Sequence, residues 1–116
     1  MGYLTTHVLD TARGRPAAGQ KIELYALDPE RRLLRTAQTN ADGRCDGPLL
    51  EGTAFRRGVY ELVFFVGDYF RAAGVTLPDP PFLDQVVLRF GIAEADRHYH
   101  VPLLVSPWTY TTYRGS

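Results

Sequence analysis

The sequence predicts an all-β fold, an antiparallel β-sandwich, on three observations. Short segments rich in β-branched and aromatic residues alternate apolar and polar side chains at the strand period of two. Eleven glycines and eight prolines punctuate those segments. No amphipathic helix of ordinary length interrupts the series, which argues against any α/β arrangement. At 116 residues the chain suits one domain, 1–116, and leaves no length for a second.

The first strand runs from Gly2 to Leu9, with Leu4, Thr6 and Val8 on one face and Tyr3, Thr5 and His7 on the other, more polar face. Asp10 to Gly19 is a turn-rich connection. Lys21 to Leu27 alternates again, Ile22, Leu24 and Ala26 opposing Lys21, Glu23 and Tyr25, and Asp28-Pro29-Glu30 turns the chain. Arg32 to Thr39 reads as a third strand, closed by Asn40-Ala41-Asp42-Gly43, whose small polar residues accept tight-turn dihedrals and display Arg44 just beyond. Pro48 to Gly58 is poorly patterned. Val59 to Val66 is apolar on both faces and therefore predicts a central strand. Asp68 to Ala73 fits one short helical piece before Gly74, and the Pro78-Asp79-Pro80-Pro81 cluster forbids regular structure. Gln85 to Ile92, His98 to Val105 and Thr109 to Tyr113 complete seven or eight strands, the last two joined at Ser106-Pro107.

Composition narrows the function classes. The 13 basic and 13 acidic residues cancel, so the chain lacks the basic excess of a nucleic-acid binder. One cysteine, Cys45, supports neither an internal disulfide nor a zinc module and points to a reducing compartment, read here as cytoplasmic. No export signal and no membrane-spanning run is visible. A domain of this size buries only roughly two-thirds of its unfolded surface, so a deep internal pocket would consume its core. A shallow pocket, or one shared between chains, is expected.

Only three histidines are present. His98 and His100 share one face of their strand, opposite the apolar Tyr99, Val101, Leu103 and Val105. An unmetallated pair, His7 with His100, suits general acid–base work near neutral pH, whereas His98 at the strand edge reads as structural or exposed. A metal site would need His7 and acidic supplements such as Asp10, Asp42 or Asp96, and the spacing gives it weak support. Arg44 is either a solvated side chain or a planar fork for an anionic or carbonyl-rich ligand. Cys45 reads as a small packing residue without a catalytic role. The terminal Tyr113-Arg114-Gly115-Ser116 gathers a phenol, a guanidinium, a hydroxyl and a carboxylate, although chain ends commonly fray. Pro107 and Trp108 shape the last hairpin.

Three stretches together carry a resemblance: Leu4-Thr5-Thr6-His7-Val8-Leu9-Asp10, Thr39-Asn40-Ala41-Asp42-Gly43-Arg44, and His98-Tyr99-His100-Val101-Pro102-Leu103-Leu104 leading to Tyr113-Arg114-Gly115-Ser116. With the loop Thr11 to Ala17, they make the chain resemble, from Tyr3 to Ser116, the 5-hydroxyisourate hydrolases, transthyretin-related enzymes of urate breakdown. The resemblance implies a transthyretin-like sandwich of two four-stranded sheets with one short helix. It implies a homotetramer, a dimer of dimers, with active sites between subunits. It also implies hydrolytic opening of the N1–C6 amide of 5-hydroxyisourate, a cyclic amide, to 2-oxo-4-hydroxy-4-carboxy-5-ureidoimidazoline, with neither metal nor cofactor. His7, Arg44, His100 and Ser116 map to the catalytic positions, and His7, Arg44, Tyr113, Arg114 and Gly115 to substrate binding. Trp108 stands where the resemblance leads one to expect a more variable or tyrosine-like residue. The rivals are a transthyretin-like carrier of an aromatic ligand and a plain structural sandwich.

Overall fold

In the computed structural model, which describes residues 1–115, the period-two pattern at the start becomes strict: Leu4, Thr6, Val8 and Asp10 are buried, while Tyr3, Thr5, His7 and Leu9 are not. The segment is two short strands, β1 (Tyr3–Thr5) and β2 (Val8–Asp10), with Thr6 and His7 between them. It continues through β3 (Arg15–Pro16), β4 (Lys21–Ala26), β5 (Arg32–Gln38) and β6 (Leu50–Glu51). After β7 (Gly58–Phe64) come helix α1 (Val66–Ala72), β8 (Val86–Ile92), β9 (Tyr99–His100), β10 (Leu103–Val105) and β11 (Tyr110–Thr112).

One sheet has the order β5-β4-β7-β8, all antiparallel. β7 is central, as its two apolar faces predict, and the polar edge strand β5 is largely exposed. The facing layer has the order β11-β10-β2-β3 and is extended by β6-β1-β9. β1 and β2 run as one line, as do β9 and β10. The gaps are bridged by the Val101 amide donating to the Thr5 carbonyl and the Leu103 amide to the His7 carbonyl, each at 2.9 Å. Pro102 has no amide hydrogen to give, which is why the ladder breaks there. Counting each line once, and leaving aside the two-residue β3 and β6, seven strands remain. Leu4, Val8, Leu103 and Val105 from this layer meet Ile22, Leu24, Leu62 and Phe64 from the other, all completely or almost completely excluded from solvent.

Two details depart from the sequence reading. β1 pairs with β9, and β2 with β10, in parallel rather than antiparallel fashion. Alternation specifies faces, but it carries no information about the direction of a partner 95 residues away. The helix also begins at Val66, two residues before the predicted Asp68, because the ladder of β7 ends at Phe64 and Val66 turns into the core. A buried carboxylate ties these parts together: Asp10 accepts hydrogen bonds from Arg13 and from the Tyr69 hydroxyl of α1, at 2.8 Å each. Burial pushes the Asp10 carboxyl up, but these bonds outweigh it and hold it below the usual range. Among the described residues no helix is long and apolar enough to cross a membrane.

Candidate active site

Parallel pairing sets Thr5 beside His100 and Leu4 beside Tyr99. Since side chains alternate, Tyr3, Thr5, His98 and His100 emerge together on the outer face of this layer. They line a groove of about 520 Å³ whose other walls are Thr6, Arg44, Cys45, Gly47 and Pro48. Among the described residues no carboxylate lines it, and these present one guanidinium, two imidazoles and neutral groups. That lining suits an electron-rich, carbonyl-bearing ligand.

Arg44 is brought here by the turn before it. The Asn40 side-chain oxygen accepts from the amides of Asp42 and Arg44, at 2.9 and 3.2 Å, and the Val8 amide donates to the Gly43 carbonyl at 2.8 Å. Gly43 has φ +76, and a Cβ there would collide with the Val8 carbonyl, so the turn docks against β2 only with glycine. The docking pairs His7 with Arg44 in an isolated antiparallel bridge. Nε2 of His7 lies 2.9 Å from the Asp42 carbonyl oxygen. A carbonyl only accepts, so Nε2 carries the proton and, in the neutral ring, Nδ1 is bare.

His100 is held on two sides. Its Nδ1 lies 2.8 Å from the Thr5 hydroxyl, and its backbone pairs with Gly115, whose amide donates to the His100 carbonyl at 2.7 Å. A Cβ at Gly115 would lie 2.7 Å from Cδ2 of the His100 ring, so the glycine lets the tail close onto the imidazole. Burial, and after it electrostatic interaction with Arg44, His98 and His7, hold His100 below the ordinary imidazole value of 6.5. The ring is thereby kept neutral at physiological pH and able to accept a proton.

The residues singled out from the sequence are thus not all in one place. Arg44 and His100 share the groove, His7 adjoins it through the bridge to Arg44, and Gly115 packs on His100. Tyr113 and Arg114 line a second groove of about 410 Å³ beside β8, where the Arg114 guanidinium lies 4.1 Å from the centre of the Tyr99 ring. Ser116 lies outside the described residues. Asp10 is committed to Arg13 and Tyr69, and His7 meets the backbone rather than the carboxylate of Asp42. Cys45 borders the groove, and burial raises its thiol, which suits packing more than nucleophilic attack.

From the sequence His98 reads as structural or exposed, and Thr5 carries no role. In the structure the Thr5 hydroxyl lies 2.9 Å from Nε2 of His98, which also stacks on Tyr3 with ring centres 4.1 Å apart. The available signal was the shared polar face of Tyr3 and Thr5 and that of His98 and His100. It lacked the pairing that puts the two faces side by side.

The chain is 69% identical over 116 residues to 5-hydroxyisourate hydrolase 2 of Rhizobium meliloti, covering 99% of this chain and 97% of that protein. Among solved structures, (S)-allantoin synthase superposes with a TM-score of 0.95 at 51% identity, over 99% of this chain but 44% of that longer one. Sea bream transthyretin in complex with thyroxine superposes with a TM-score of 0.85 at 30% identity, over 97% and 93% of the two chains. Residues 4–115 match the model of the HIUase/Transthyretin family, and with the sandwich and its groove in view the chain belongs to that family.

Proposed function

We propose that the chain hydrolyses 5-hydroxyisourate, the reaction named for its bacterial relative, within purine breakdown. The observation that carries this reading is the meeting of Arg44 and His100 in one groove, with the tail glycine Gly115 packed on His100 and His7 adjoining through its bridge to Arg44. Water, oriented and deprotonated by His100 and His7, attacks the carbonyl carbon of the N1–C6 amide. The carbonyl becomes an oxyanion beside the Arg44 guanidinium. The C–N bond then breaks, and the histidines return a proton to the departing nitrogen. Loss of one such oxyanion donor costs about 3 kcal/mol in the transition state. In the assembled tetramer Tyr113 and Arg114, which line the second groove in the single chain, seat the substrate ring together with Gly115, and Ser116 orients a histidine or the water. No metal or cofactor takes part.

The groove is open on one side in the single chain, and the C-terminal hairpin exposes Trp108, Tyr110 and Tyr113. Both features support a homotetramer, a dimer of dimers, in which a second copy completes each site. The free Cys45 supports a reducing setting, the cytoplasm. In water enriched in oxygen-18, freshly generated 5-hydroxyisourate should decay faster with the protein than without it and gain one heavy oxygen in the new carboxylate. A protein that binds thyroxine but leaves the decay rate unchanged would favour the carrier instead.

A further inference from the structure

The Thr5 hydroxyl stands between two imidazoles, 2.8 Å from Nδ1 of His100 and 2.9 Å from Nε2 of His98. It brings one hydrogen, so it can donate to only one of those nitrogens, and the other must carry its own proton. In one arrangement Nδ1–H of His100 donates to Thr5 and the Thr5 hydroxyl donates to Nε2 of His98. That arrangement leaves Nε2 of His100 bare. In the other, Nε2–H of His98 donates to Thr5, Thr5 donates to Nδ1 of His100, and His100 carries its proton on Nε2.

We propose that Thr5 is a positioning residue that joins His98 to His100 as a proton relay, an inference that rests on His100 acting as a base in the hydrolysis. As the water oxygen bonds to the carbonyl carbon, its proton passes to Nε2 of His100. The Nδ1 proton of His100 moves to the Thr5 oxygen, and the Thr5 hydroxyl proton moves to Nε2 of His98. His100 ends neutral, and the positive charge rests on His98. When the C–N bond breaks and its electron pair goes to nitrogen, the relay runs backwards and Nε2 of His100 gives the proton to that nitrogen. The side chains return to their starting state, and the new carboxylic acid ionises to solvent.

The surroundings favour this direction. An imidazolium at His100 would face Arg44, with His7 and His98 close by and part of its hydration removed. At His98 the charge lies over the π face of Tyr3, at 4.1 Å between ring centres. Among the described residues the groups near His98 are Tyr3, Thr5, His100 and Arg114, whose Nη2 lies 3.5 Å from the His98 carbonyl oxygen. Two rings held by one hydroxyl act as a unit, so their removal should not be additive.

The test uses the full chain as wild type, Thr5→Val, Thr5→Ser, His98→Phe and Thr5→Val/His98→Phe. Thr5→Val should lower kcat about tenfold or more with KM within about twofold. Thr5→Ser should restore it, His98→Phe should match Thr5→Val, and the double variant should be no slower than either. With nitrogen-15 histidine, NMR should find the His100 proton on Nδ1 in wild type and Thr5→Ser and redistributed to Nε2 in Thr5→Val. That reading needs no substrate and separates a relay from mere support of the strand. Full kcat in Thr5→Val or His98→Phe, losses that multiply in the double variant, or a wild-type His100 protonated on Nε2 would overturn the relay. Wild type that fails to accelerate 5-hydroxyisourate decay would overturn the functional reading and the relay with it, whereas an active wild type with an indifferent Thr5→Val overturns the relay alone.

Discussion

His100 shows how a side chain of ordinary chemistry becomes specific through its neighbours. Burial and then Arg44, His98 and His7 disfavour its charged form, so its folded value lies below 6.5. The acid limb of the kcat/KM profile should therefore fall below that pH. The same depression means that the ring supports the fold above its unfolded value and ceases to do so as the pH drops through the folded one. Arg44→Gln removes a positive neighbour, so His100 should take up its proton more readily and the acid limb should move to higher pH. The same variant should lower kcat about 100-fold through the lost oxyanion donor, and a pH–rate profile measures both effects. That His7, Arg44 and His100 belong together can be read from the motifs in which each stands, and the structure sets them side by side. Thr5 and His98 were not legible, because a hydroxyl becomes a bridge only when two distant strands fix the distance.

At the scale of elements, the sequence specified faces better than partners. The alternation of Leu4 to Val8, the apolar β7 and the Ser106-Pro107 turn are local and read directly. The parallel pairing of β1 with β9 is a contact between the two ends of the chain and left no local mark. The short β6 and the turn Gly52–Ala54 were missed because two paired residues make no period. The tail is the element whose role can be separated from folding: Gly115 closes on His100, while Tyr110–Thr112 already pairs with β10. Deleting Tyr113 to Ser116 should abolish hydrolysis and move the thermal midpoint by only a few degrees, about what 1 kcal/mol produces in a domain this size. Calorimetry beside the rate assay checks that separation, and a truncated chain that hydrolyses normally would remove the tail from the site.

For the whole molecule, the central fact is that positions 7, 44, 100 and 115 meet although they span nearly the entire chain. Parallel pairing of the first and penultimate strand lines makes that meeting, and the glycine turn against β2 adds Arg44. The cost is an open groove, since so small a sandwich has no interior to spare. If further copies close that groove, light scattering should give a mass near four times the 13.0 kDa chain. A monomer with full activity would remove the shared-site account. The measurement that bears most directly on the central claim is the decay of freshly generated 5-hydroxyisourate, followed by absorbance at neutral pH, with wild type and with His100→Asn of unchanged β-sheet spectrum. The account predicts strong acceleration by wild type and decay at the spontaneous rate with His100→Asn. Equal acceleration by both proteins, or by neither, would contradict it.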